Sequence, residues 1–201
     1  REKNSFSLLK NGNSRAVENE ILASKICRCF DCRQVLYEES MFDGQKVSKS
    51  RIITSVDYSM VSMEAFEIYA ANHDIHVMDF VLKLDAYTYY MMNLLDYLIG
   101  NTDRHWGNWG FLVDNRTNQP VRLFDLMDLN QTFLAYDTPD GANCMTTGNR
   151  KMSQREAAVE AVKKIGLNQR AEIKDEWFEG REKEREMFWC RFGILKEQWK
   201  A

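Results

Sequence analysis

No run of about 18 apolar residues occurs in this chain of 201 residues, so a membrane-spanning helix is not expected. The opening Arg1-Glu-Lys-Asn-Ser5 lacks the apolar stretch of a signal peptide. It also lacks an initiator methionine, and reads as a fragment, a processed form or part of a longer protein. Neither sign of charge is in large excess. A net charge of −3 and a pI near 5.7 exclude a whole-molecule attraction to nucleic acid or to an anionic membrane, and direct nucleic-acid binding is not indicated. Histidine is scarce, at 3 residues, and no His-Glu-x-x-His pair is present, which gives a metal hydrolase little basis. The 5 cysteines are an odd number, with Cys27, Cys29 and Cys32 crowded together, unlike a secreted disulfide framework. That trio has no second ligand pair at zinc spacing and falls at the end of an apolar helical pattern. Reduced thiols and a cytoplasmic location are therefore expected.

What is present is an ordinary globular balance, with 44% hydrophobic and 28% charged residues. The length suffices for one large domain or two small lobes sharing a cleft. Phe6 to Lys10 reads as a strand, followed by the polar turn Asn11-Gly-Asn-Ser14. A helix is expected from about Arg15 to Phe30, with Ser14 as its N-cap and Val17, Ile21, Leu22 and Ile26 on one face. Short strands are expected at Val35 to Tyr37 and at Val47 to Val56. Ile75 to Ile99 reads as one long helix, apolar around most of its circumference and hence central, and Gly100 ends it. Strands at Trp109 to Val113 and Val121 to Phe124 flank a turn. Ser153 caps a helix through Ile165 that Gly166 closes, and one or two helices fit between Asn168 and Leu195. The charge run Glu179 to Glu186 reads as a solvated helix face. The expected organisation is a mixed α/β part, residues 1–56, joined to a mainly helical part, residues 57–201.

The chemistry concentrates after the long helix. Phosphoryl transfer from ATP needs a carboxylate to hold the attacking hydroxyl, oxygen ligands for magnesium, and a cation to orient the nucleotide. Asp103 and Asn108 have four residues between them, so one loop can aim a carboxylate at a hydroxyl and an amide oxygen at a metal. Asp125, at the end of the strand Val121 to Phe124, would return through the hairpin to the same spot and bridge metal and phosphate. Taken singly, each of these residues is an ordinary turn or cap residue. Their arrangement carries the reading. His73 and His76 have no carboxylate or thiol partner at motif spacing and read as surface or packing residues.

The stretch Leu98-Ile-Gly-Asn-Thr-Asp-Arg-His-Trp-Gly-Asn-Trp-Gly-Phe111, followed by Arg122-Leu-Phe-Asp125, closely resembles the catalytic region of HipA-like kinases. These are bacterial serine/threonine kinases with a two-lobed protein-kinase-like fold, several of them toxin components. The resemblance implies an α+β fold with a short N-lobe and a helical C-lobe, with ATP and Mg²⁺ as cofactors. It implies a protein substrate phosphorylated on Ser/Thr, autophosphorylation, and an antitoxin or regulatory partner. By it, Asp103 is the catalytic aspartate, Asn108 a magnesium ligand and Asp125 the metal-binding aspartate after the hairpin. His105 follows Asp103 by two, and either braces the loop or approaches the phosphates. Leu8-Leu-Lys10 and Val17-Glu-Asn-Glu-Ile-Leu-Ala-Ser24 look like the family's strand lysine and following helix, so Lys10 would contact phosphates and Glu20 would hold it by an ion pair. Asn143-Cys-Met-Thr146 and the segments beyond are compatible with the smaller members of the family.

The chain departs from the kinase pattern in having few residues before Lys10 and no Gly-x-Gly-x-x-Gly; Gly12 comes after the lysine. Two other readings follow. One is a nucleotide-binding pseudokinase or partner-binding module. The other is a small-molecule kinase, which would use the same Asp-x4-Asn logic.

Overall fold

The computed structural model describes residues 6–134, 136–148 and 151–200. It is a mixed α/β molecule with two small antiparallel sheets. The first sheet has the order β1-β3-β2, from β1 (Ser7–Lys10), β2 (Tyr37–Phe42) and β3 (Gln45–Arg51), with helix α1 (Ser14–Cys27) between β1 and β2 in the chain. Asp43 and Gly44 turn the β2–β3 hairpin, both with positive φ. The second sheet has the order β4-β5-β6, from β4 (Tyr58–Ser62), β5 (Gly110–Asp114) and β6 (Gln119–Leu123). Gly110 lies so close to β4 that a Cβ there would sit 2.0 Å from the Val61 carbonyl oxygen, which excludes any larger residue without a backbone shift.

Helices α2 (Met63–Ala71), α3 (Val77–Ile99), α4 (Gln154–Ile165) and α5 (Glu182–Lys200), with a 3₁₀ turn at Asp175–Phe178, complete the chain. The second half of α3 is the centre of the molecule: Met91, Leu94, Leu95, Tyr97, Leu98 and Ile99 are fully buried. Each such apolar side chain contributes about 1.5–3 kcal/mol over its exposed state. One continuous hydrophobic core runs from Ile26 and Phe30 beside the first sheet to Phe188 and Leu195 of α5. Among the described residues no helix is long and apolar enough to cross a membrane.

Several sequence expectations shift. Asn13, not Ser14, caps α1: its side-chain oxygen accepts the Ala16 N–H at 2.8 Å. That helix ends at Cys27 rather than Phe30. The strand expected at Val35 begins at Tyr37 and continues to Phe42, while the next one stops at Arg51, short of Val56. Strand β4 and helix α2 were not anticipated. The long helix is broken at Asp85, whose φ of −155° and ψ of 63° are not helical. The Asp85 carboxylate caps the second part through the Thr88 N–H at 3.2 Å, and also accepts bonds from Arg33 (2.8 Å) and the Leu123 N–H (3.2 Å). The charge run is not uniformly solvated, because Arg181 is buried and bonds Asn19 and Glu184. The Ser153 cap holds, with a reciprocal bond from the Ser153 N–H to Glu156, and Gly166 ends the helix.

Candidate functional site

Gly100 closes α3 in the left-handed conformation (φ 58°), packed so tightly that a Cβ would meet the Tyr136 ring at 2.4 Å. The chain then turns into the loop 101–108, which is held from below by a buried charge. Arg104 donates through Nε and Nη2 to both oxygens of Asp96 at 2.9 and 3.0 Å. Its Nη1 reaches the carbonyls of Asn108 (2.8 Å) and Met127 (2.6 Å). Burial opposes the Arg104 charge, but Asp96 outweighs it and holds the guanidinium pKa above its ordinary value. Asn101 extends the lattice, donating to Asp96 at 3.0 Å and accepting the Asp103 N–H at 3.1 Å. Helix α2 supports the loop from the other side, through its Met63 and Glu64 N–H groups bonded to the Trp109 and Trp106 carbonyls at 2.8 and 3.0 Å. Arg104 is thus the anchor of the loop.

On this base the structure brings Asp103, His105 and Asn108 together. The Asn108 side-chain N–H₂ donates to the Asp103 carbonyl at 2.9 Å and to its carboxylate at 3.2 Å, which leaves the amide oxygen as the atom for a cation. His105 Nδ1 accepts the Gly107 N–H at 3.0 Å, and its Nε2 is 3.8 Å from Asp103 Oδ1. An imidazole accepting at Nδ1 carries its proton on Nε2, toward Asp103. His105 therefore braces the loop at Gly107, and stands too far from the Asp103 carboxylate for a hydrogen bond.

A second cluster forms under the first sheet. Lys10, at the end of β1, places Nζ 2.8 Å from Glu20 of α1 and 2.7 Å from Asp128. Glu20 is buried and also accepts from the Ser48 hydroxyl and from the Leu129 N–H. The Asp128 N–H donates to the Tyr37 hydroxyl at 3.0 Å, and the Lys10 ammonium stands 5.5 Å from the Tyr37 ring centre. Burial acts to lower the Lys10 pKa, but the hydrogen bonds to Asp128 and Glu20 prevail and raise it. The Tyr37 hydroxyl is pushed up to about 12, first by burial and then by the Glu20 charge.

Asp125 makes different contacts. Strand β6 ends at Leu123, so Asp125 is beyond the strand and not its last residue. Its carboxylate accepts from Arg122 at 2.6 Å, and its charge adds to the burial that pushes the Cys32 thiol up to about 12. The described contacts join it neither to Lys10 and Glu20 nor to Asp103 and Asn108. Asp128 is the carboxylate that sequence reasoning missed. Its segment is stitched to the loop on both sides, by Arg104 to the Met127 carbonyl and by the Thr102 N–H to the Gln131 carbonyl at 3.3 Å. The two aspartates share the same local context, Phe124-Asp125-Leu126 and Met127-Asp128-Leu129, so spacing alone could not choose between them.

Among the described residues no three His, Cys, Asp or Glu side chains form a self-sufficient metal site. Asn108 and Asp128 nonetheless offer hard oxygen donors, the kind that hold magnesium together with phosphate oxygens rather than in an all-protein cage.

No protein-family model matches the chain, and no curated protein matches it in sequence. Its backbone is similar to the crystal structure of a Helicobacter pylori proinflammatory kinase, CtkA, with a TM-score of 0.65 and 14% identity. The match covers 98% of this chain and 88% of that one. The chain has a kinase-like fold. Along that fold Lys10 lies at the end of β1, Glu20 on α1, and the loop 101–108 directly after α3.

Proposed function

We propose that the protein is an ATP- and Mg²⁺-dependent phosphotransferase of the HipA-like type that acts on Ser/Thr hydroxyls of a protein, itself included. The observation that supports this best is the Lys10–Glu20–Asp128 network, carried on a segment bonded to the loop of Asp103 and Asn108. Asp103 accepts the proton of the attacking hydroxyl, its carboxylate oriented by the Asn108 amide. Lys10 binds the nucleotide phosphates, and buried Glu20 keeps its ammonium extended toward the cleft. Asn108 and Asp128 are the residues that would hold magnesium, in place of the pair Asn108 and Asp125 expected from sequence. Bound magnesium supplies neutralisation of the charge that develops on the phosphate oxygens.

The double pairing of Lys10 favours a second reading, a nucleotide-binding module with little turnover. Nucleotide phosphate must compete with Asp128 for the ammonium, which weakens binding. The two readings separate on incubation with γ-labelled ATP and magnesium. Label transferred to the protein or to a Ser/Thr acceptor supports the kinase, binding without transfer supports the module, and absence of both sinks the two together.

A further inference from the structure

Residues 127–133 connect the two clusters of the candidate site. On one side they are bonded to the end of α3 and the loop after it. Arg104 donates to the Met127 carbonyl at 2.6 Å, the Thr102 N–H to the Gln131 carbonyl at 3.3 Å, and the Phe133 N–H to the Ile99 carbonyl at 3.0 Å. On the other side they meet β1 and α1, through Asp128 with Lys10 at 2.7 Å and the Leu129 N–H with Glu20 at 3.3 Å. A further contact on that side lies outside the lysine cluster. Asn19 of α1, 1% exposed, donates from Nδ2 to the Thr132 carbonyl at 2.6 Å. The buried Thr132 hydroxyl stands 2.8 Å from the Leu129 carbonyl and 3.3 Å from the Asn19 carbonyl. Arg181, just before α5, donates to Asn19 Oδ1, with its guanidinium 5.0 Å from the Phe133 ring centre. Both ends of the Asn19 amide are thus engaged.

Nucleotide would act differently on these contacts. Phosphate that takes the Lys10 ammonium competes with Asp128, so this ion pair is lost as the site fills. The Glu20 bond to the Leu129 N–H is long for its kind. Asn19 with Thr132 is sealed from water, and parting them would leave a buried amide and a buried carbonyl without partners, so this contact persists. Registry between reacting groups matters, since a misplacement of about 1 Å can lower a rate about 10²-fold.

On the phosphotransferase reading above, we propose that Asn19 and Thr132 are positioning residues. They keep α1, and with it Glu20 and Lys10, in register with the loop of Asp103 after phosphate has displaced Asp128 from Lys10. Three measurements on the full chain test this: transfer from γ-labelled ATP, calorimetry of ATP with magnesium, and amide hydrogen exchange of α1 with and without magnesium and a non-hydrolysable ATP analogue. Asn19→Asp keeps the shape and the bond from Arg181, which holds the new carboxylate ionised, but loses the donor to Thr132. It should lower the transfer rate about tenfold and leave ATP affinity within about threefold, since Lys10, Glu20 and Asp128 are retained. Thr132→Val should lower the rate about fivefold, whereas Thr132→Ser, which keeps the hydroxyl, should stay within about twofold of wild type. In Asn19→Asp and Thr132→Val, α1 should exchange faster once the analogue is added, and in wild type and Thr132→Ser it should not. Wild-type transfer by Asn19→Asp overturns the proposal. So does an equal loss in the two Thr132 variants, which is the mark of packing alone, or a fall in ATP affinity as large as the fall in rate. If the wild-type chain binds nucleotide without transfer, exchange decides. Faster exchange in Asn19→Asp and Thr132→Val then supports the joint and sinks the kinase reading alone, while unchanged exchange sinks both. A wild-type chain that neither binds nor transfers also sinks both.

Discussion

At the loop 101–108 the central ion pair, Arg104 with Asp96, leaves 3% and 5% of the two side chains exposed, whereas at the Lys10 cluster the pair with Asp128 leaves 27% and 30%. Both are close, well-formed contacts, so distance does not distinguish them. Surroundings do. A charge pair sealed from water cannot exchange partners without an uncompensated buried charge, and the Arg104 lattice is accordingly a fixed part of the fold. A pair open to water can trade a carboxylate for a phosphate at modest cost, because solvent screens both states. Glu20, with 1% exposure, is the intermediate case: on the reading proposed above it keeps Lys10 in place while Asp128 yields to phosphate. The loop holds a fixed geometry, and the lysine cluster is open to a change of partner.

The comparison can be broken or sharpened by substitution. The largest effect belongs to Asp103→Ala, expected to lower phosphate transfer by about 10²–10⁴-fold, the usual contribution of a positioned base. Thermal melting of that variant should stay near wild type, because its carboxylate is partly exposed and bears little of the loop's support. Next comes Arg104→Met, which leaves Asp96 buried without its cation and should cost about 3–5 kcal/mol in urea unfolding. Unfolding equal to wild type would show that the lattice is not the anchor described here. Asp128→Asn should keep stability but weaken magnesium-dependent ATP binding at least about tenfold, measured by calorimetry with and without magnesium. Asp125→Asn should be the mildest, about 1 kcal/mol of stability from the Arg122 contact and unchanged ATP affinity. The reverse result for this aspartate pair would restore Asp125 as the metal-facing residue.

Much of the helical architecture was legible because its signals are local. Ser153, Glu156 and Gly166 announce α4 within one turn at each end, and Gly100 ends α3 where only a residue tolerant of positive φ fits. Strand β4 and helix α2 were not legible. Their residues are partly exposed and weakly patterned, and they form by pairing with β5, nearly fifty residues later in the sequence. The break at Asp85 was hidden for a related reason. The apolar period continues through it, while the bonds that stabilise the break come from Arg33 and Leu123.

The candidate site divides along the same line. The sequence by itself determined the loop: its bonds, from Asn108 to Asp103 and from the Gly107 N–H to His105, all lie within five residues of one another. It also placed a lysine on a strand and a glutamate on the next helix. Only the tertiary structure decided which aspartate meets that lysine, because the Lys10–Asp128 contact spans 118 positions. Two aspartates in the same local setting are equivalent to any rule that looks a few residues ahead. They become different when Arg104 grips the Met127 carbonyl and Arg122 claims Asp125, and both choices depend on how the sheets and α3 pack together.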